Sequence, residues 1–212
     1  MTLVVCTGTA TEVGKTWVGA ATLRALRDEG HTVAARKCAQ SFDPADPSDS
    51  PTDADVLADA TGERAGTVCL PHRAYELPMA PPMAAAVLGR PPFAIDDLAD
   101  ELSWPDRVPT VRWIETAGGV RSPLASDGCD TVDLCRLVRP DVVVLVADAG
   151  LGAINAVRLC AGAIAEWPVI VVLNRCDEEI AERNATWLAD MDGFDVVTDI
   201  GTLVRRFLPA DD

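Results

Sequence analysis

Gly8-Thr9-Ala10-Thr11-Glu12-Val13-Gly14-Lys15-Thr16 follows the apolar run Leu3-Val4-Val5-Cys6 and precedes a helical pattern from Trp17 to Arg27. A strand, a glycine-bounded loop and a Gly-Lys-Thr opening a helix together spell a phosphate-binding loop. Backbone N–H groups of such a loop and of the helix start converge on one point, where the helix dipole adds positive potential. Lys15 brings a full charge to the outer phosphates, and the Thr16 hydroxyl is suited to ligate Mg²⁺. Five residues, rather than the common four, separate Gly8 from Gly14.

The flanking sequence predicts an α/β fold, with a parallel sheet covered by helices on both faces. Short, nearly all-apolar runs recur at 3–6, 32–35, 111–114, 142–147, 169–173 and 196–197, as strands buried on both faces require. Helical patterns lie between them at 15–29, 54–61, 83–88, 96–102, 132–137, 154–165 and 178–191. Such alternation gives parallel strands joined by crossover helices, with ligands at the carboxyl ends of the strands. Residues 41–51, rich in Asp, Ser and Pro, and the Pro-rich stretch 70–82 are expected to be irregular, and 207–212 to be a frayed tail.

Length and composition set limits on function. A chain of 212 residues that is 49% hydrophobic suits one folded domain, residues 1–212. A net charge of −15 disfavours nucleic acid and anionic membranes as partners. It leaves room for a phosphorylated ligand, because local N–H dipoles outweigh a distant net charge. The seven cysteines show no CxxC pair and mostly sit in apolar stretches, which implies free thiols and a cytoplasmic setting. Neither a signal peptide nor a membrane-spanning run is expected.

Other candidate residues fall at strand ends. Glu115 begins Glu-Thr-Ala-Gly-Gly directly after the run 111–114. It is one candidate carboxylate for the metal, and its glycines allow close backbone approach to a ligand. Asp53, at the start of a helix, fits metal ligation and helix N-capping about equally. Asp148 also ends a strand and is a rival ligand, with Asp55 a lesser one. Lys37 follows a strand one loop away from the phosphates, where a transferring phosphoryl group needs charge. Asn174 ends the run 169–173, where its amide can meet a base edge or simply make a turn. The N–H groups around Gly150–Gly152, before another helix, can receive a carboxylate. Two histidines, His31 and His72, give no support for a nucleophilic triad.

Taken together, these residues resemble the dethiobiotin synthetase family of P-loop NTPases, from Leu3 to about Leu203. The loop matches that family's, extra residue included. Lys37 with Ser41, Asp53-Ala54 with Leu57, Glu115 with Gly118-Gly119, Leu151-Gly152 with Asn155, and Asn174 fall on further family motifs. The resemblance implies an ATP- and Mg²⁺-dependent cyclo-ligase that closes a ureido ring on 7,8-diaminononanoate with CO₂. Lys15 and Lys37 would be catalytic, and Thr16, Asp53 and Glu115 would hold the metal. Thr11, Glu12, Val13, Gly14, Lys15, Thr16, Trp17, Asp53, Glu115, Thr116, Ala117, Gly118, Asn174 and Arg175 would contact nucleotide. Ser41, Gly118, Gly119, Leu151, Gly152 and Asn155 would contact the diamine, the last three across a homodimer interface.

The chain departs from the family at several points. Cys38 and Ala39 replace proline and valine, Phe42 and Thr116 replace glycines, and Ala156 replaces a histidine. Gly201-Thr202-Leu203 stands where a proline-containing purine loop is usual. Two rival readings follow. One is a switch ATPase of the septum-site or plasmid-partition kind, which needs a lysine where Ala10 stands. The other is a related ligase with a different acceptor, to which Phe42 points.

Overall fold

A computed structural model describes residues 1–47, 50–176 and 179–208. Its frame is a six-stranded, all-parallel sheet built from β1 (Thr2–Gly8), β2 (Val33–Lys37), β5 (Val111–Gly119), β6 (Val142–Asp148), β7 (Val169–Asn174) and β8 (Asp195–Val197), in the spatial order β2-β5-β1-β6-β7-β8. The six apolar runs read from sequence are these six strands. Side chains alternate across the sheet, so each strand feeds two cores. Val4, Cys6, Trp113, Val144 and Val146 pack with helices α1 (Lys15–Asp28), α2 (Asp53–Thr61) and α9 (Ile200–Arg205). Leu3, Val5, Ile114, Leu145 and Leu173 pack on the other face with α5 (Ile95–Asp100), α6 (Thr131–Val138), α7 (Ala153–Ala163) and α8 (Glu179–Asp190).

Two strand ends differ from the expectation. β5 continues to Gly119, so Glu115 sits inside a strand rather than after it. Its pairing with β1 runs through five pairs, from Thr2–Val111 to Cys6–Glu115, and resumes at Gly8–Gly119 after a local irregularity. β2 runs on to Lys37, which pairs in register with Glu115.

The stretch 70–82 is ordered rather than irregular. It holds a 3-10 turn at Pro71–Arg73, the strand β4 (Ala74–Tyr75) and the start of α4 (Pro81–Val87). β4 pairs in parallel with β3 (Gln40–Ser41), placing Ser41 opposite Tyr75. Tyr75 is buried and stacks on Phe93, with ring centroids 6.2 Å apart. A single apolar residue among prolines carries no periodic signal, which is why pattern reading missed it. The short helix α3 (Ala65–Val68) was missed for the same reason.

The expected tail is likewise corrected at Phe207. α9 turns its apolar side inward through Leu203 and Val204, and Phe207 meets Trp113 edge-on at 6.2 Å. Residues 209–212 lie outside the described residues, as do 48–49 of the expected irregular loop and 178, the expected start of α8. Phe207→Ala should cost about 3 kcal/mol by opening a cavity beside Trp113. For a chain of this size that is a drop of roughly 6–12 °C in a thermal melt. Among the described residues, no helix is long and apolar enough to cross a membrane.

Candidate nucleotide and phosphoryl-transfer site

β1 delivers the loop to the carboxyl edge of the sheet, where the Thr9 N–H donates to Val146 O at 2.9 Å. Gly14 caps α1 with φ of 92°, and a β-carbon there would lie 2.1 Å from Asn174 Nδ2. Only glycine tolerates both the dihedral and that approach. Asn174 Nδ2 donates to Val13 O at 3.0 Å. Arg175 donates through Nη2 to Glu12 O at 2.7 Å and through Nη1 to Asp148 Oδ2 at 3.1 Å. The end of β7 therefore braces the back of the loop. Lys15 is buried, and its Nζ donates to Ala10 O at 3.1 Å. Burial, and next the nearby Lys37 charge, hold its pKa below the usual lysine range.

Three elements converge on Thr16. Its hydroxyl lies 2.8 Å from Asp53 Oδ1 and 2.7 Å from Glu115 Oε1, and with one proton it donates to one of them at a time. Lys37 Nζ donates to Asp53 Oδ2 at 2.7 Å and to Glu115 Oε1 at 2.6 Å. Glu115 is 0% exposed and Lys37 4%, so the charges face each other in low dielectric. Burial works against the Lys37 charge, but Glu115 and Asp53 overcome it and raise its pKa. Burial likewise opposes ionisation of Asp53, and Lys37 with Thr16 outweighs it, lowering that pKa.

The donor set fits Mg²⁺. Two carboxylates and a hydroxyl are hard oxygen ligands, and Mg²⁺ in such sites takes one or two carboxylates and fills its shell with phosphate and water. Glu115 Oε2 is buried with no hydrogen-bond partner, which leaves lone pairs for a cation. Among the described residues no group of three or more His, Cys, Asp or Glu forms a metal cage.

Local capping explains how Asp53 comes to be available. Thr52, not Asp53, is the N-cap of α2, and Asp55 closes a capping box by accepting from the Thr52 N–H at 3.0 Å. Asp55 is thereby occupied. Asp148 turns to the Gly150 N–H at 2.9 Å and to Arg175, so it does not join Thr16. Gln40, which sequence reading overlooked, is buried and accepts from the Ala54 N–H at 3.0 Å, anchoring the start of α2. Nothing in its sequence context marks that role.

Other candidates scatter more widely. Thr116 is fully buried, and its hydroxyl donates to Cys6 O at 3.3 Å and accepts from the Thr131 hydroxyl at 3.3 Å, so what it can offer a nucleotide is its backbone. Ala117 packs partly buried against the core. Gly118 and Gly119 bring the end of β5 against the loop, a β-carbon on Gly119 lying 3.2 Å from Thr9 O. Ser41 Oγ is buried without a partner, and Thr11 is exposed on the loop. Leu151, Gly152 and Asn155 lie exposed at the start of α7, and no hydrogen bond or ion pair joins them to the Thr16–Lys37 cluster among the described residues. A cleft of about 530 Å³ opens beside the loop and brings Gly14, Trp17, Asn174 and Arg175 together with Thr198, Asp199 and Ile200. Sequence reading missed the last three, which stand just before and within α9.

Comparison with known proteins gives a consistent picture. A family model described as an AAA domain matches residues 2–203. The ATP-dependent dethiobiotin synthetase of Rhodococcus jostii (strain RHA1) is 35% identical over 212 residues, covering 93% of this chain and 85% of that protein. That of Haloferax mediterranei is 38% identical, covering 90% and 80%. Among solved structures, chloroplast FtsY from Physcomitrella patens matches with a TM-score of 0.53 at 16% identity, over 98% of this chain and 65% of that one. FtsY from Thermotoga maritima matches at 0.51 and 17%, over 98% and 68%. The chain thus spans about two thirds of those solved chains, and at such identity the likeness concerns the fold alone.

Proposed function

We propose that this chain, which belongs to the ATP-dependent dethiobiotin synthetase family, closes a ureido ring on 7,8-diaminononanoate with CO₂ and ATP. The carrying observation is the cluster at the loop: the Lys37 ammonium held between Asp53 and Glu115, with the Thr16 hydroxyl on the same two carboxylates. In this reading one amine of the diamine adds CO₂ and loses a proton, giving a carbamate. A carbamate oxygen attacks the γ-phosphorus of ATP, and the bond to ADP breaks. The second amine then attacks the carbamoyl carbon of the mixed anhydride, and phosphate leaves.

Little covalent work falls to the protein, so positioning and charge neutralisation dominate. Lys15 and the loop N–H groups grip the β- and γ-phosphates. Lys37, charged throughout the working pH range because its pKa is raised, meets the charge that builds on the transferring group. Thr16, Asp53 and Glu115 would hold Mg²⁺, which when bound neutralises phosphate charge. Ser41, with its unpartnered buried hydroxyl, and the Gly118–Gly119 backbone would orient the diamine. Leu151, at 95% exposure, with Gly152 and Asn155 would receive the substrate carboxylate of a second copy in a two-fold dimer. A cytoplasmic setting belongs to the same proposal, and the free thiols of the described cysteines support it.

The switch-ATPase rival loses support at α9, whose apolar residues are spent in the core rather than offered to a membrane. Purified protein given ATP, Mg²⁺ and bicarbonate should release phosphate only when diaminononanoate is added. Equal release without the diamine would favour the switch. Nucleotide binding with no diamine-dependent release would favour a ligase with another acceptor.

A further inference from the structure

Trp17 stands out on α1. It directly follows the loop's Lys15-Thr16, and its side chain is 59% exposed while its neighbour Val18 is fully buried. An indole on the wall of a cleft offers a flat, rigid apolar face to a ligand. The cleft of about 530 Å³ that Trp17 lines is also lined by Gly14 of the phosphate loop and by Ile200 of α9. The cleft thus shares a wall with the phosphate loop, where the nucleoside of a bound triphosphate could enter it.

The polar groups of the cleft are largely committed elsewhere. Asn174 spends its amide donors' side on Val13 O, which orients Oδ1 as the edge it has left to offer. Both terminal nitrogens of Arg175 are engaged, by Asp148 and by Glu12 O. Asp199 accepts from the Thr202 N–H at 2.8 Å as the cap of α9. Few groups are left to read the edge of a base. The apolar surface of the cleft is chiefly the exposed indole, with Ile200 half-buried and Val172 and Leu173 buried behind it.

We propose that Trp17 is the platform on which the nucleobase stacks, and that this protein holds its nucleotide chiefly by stacking, with weak discrimination among bases. Every base has a π-face, so stacking supplies affinity without selecting one edge. This inference rests on the nucleotide-enzyme reading above and deepens it at the base.

The test is calorimetric titration of wild-type protein, Trp17→Ala and Trp17→Phe with the Mg²⁺ complexes of ATP, GTP and inorganic tripolyphosphate. The wild type should bind ATP and GTP within about tenfold of each other. Trp17→Ala should weaken both by about 5- to 100-fold, the range that loss of one stacked base carries. It should leave tripolyphosphate, which has no base, unchanged, and Trp17→Phe should recover most of the loss. Unaltered ATP affinity in Trp17→Ala, or an equal loss for tripolyphosphate, would overturn the platform while leaving the nucleotide reading in place. A wild type that binds neither ATP nor tripolyphosphate would overturn both.

Discussion

Lys37→Met will destabilise the protein by about 3–5 kcal/mol, because it strands the Glu115 carboxylate inside the sheet without a charge partner. Glu115 is 0% exposed and one of its oxygens already lacks a hydrogen bond, so the Thr16 hydroxyl would be its sole remaining partner. For a domain of this length the loss lowers the melting temperature by roughly 6–20 °C. Adding Glu115→Gln should recover much of it, since the stranded charge is then gone, and the two substitutions should be strongly non-additive in a double-mutant cycle. Additive losses would mean that the pair 2.6 Å apart contributes no coupling. Ring closure should fall at least about 10³-fold in both variants and should not return with stability, because the charge that meets the phosphoryl group is missing in each.

Lys15→Ala will separate catalysis from stability. Lys15 is as buried as many core residues, yet its ammonium is held by one backbone carbonyl, that of Ala10, and Lys37 repels it. Removing it relieves the burial of a charge and its repulsion by Lys37 while losing its attraction to Glu115 and Asp53, and with these effects opposed folding stability should change by no more than about 1 kcal/mol. Turnover should drop about 10³-fold, since a preorganised charge on the phosphates is lost. Circular dichroism melts beside single-turnover phosphate assays separate the two effects. A large stability loss with modest kinetic change would reverse the roles assigned to the two lysines.

The fold was legible because its strands are short, apolar and evenly spaced between helical patterns, and one helix start carries Gly14-Lys15-Thr16. The Lys37–Glu115 meeting was less so. It depends on β2 and β5 lying side by side in register, although 78 residues separate the two side chains. No local pattern encodes that adjacency. Asp53 was legible as a candidate for either metal ligation or N-capping, and the N-cap role falls to its neighbours, because Thr52 and Asp55 cap the helix between them. The burial of the Thr116 side chain was not legible, because a motif lists residues in order while a strand turns alternate ones to opposite faces. Gln40, Thr198 and Asp199 were missed because each acts by position alone: one under the start of α2, two along the wall of a cleft.

The identity of the transferring oxygen tests the central claim most directly. If a carbamate on the diamine is the group that attacks ATP, one oxygen of the carbon dioxide must leave in the released phosphate. A brief incubation with ¹³C,¹⁸O-bicarbonate, diaminononanoate, Mg²⁺ and ATP, read by mass spectrometry, should give a cyclic urea carrying one ¹³C and one ¹⁸O, and phosphate carrying one ¹⁸O. Phosphate released without ¹⁸O, or released with no cyclic urea formed, would contradict the assignment.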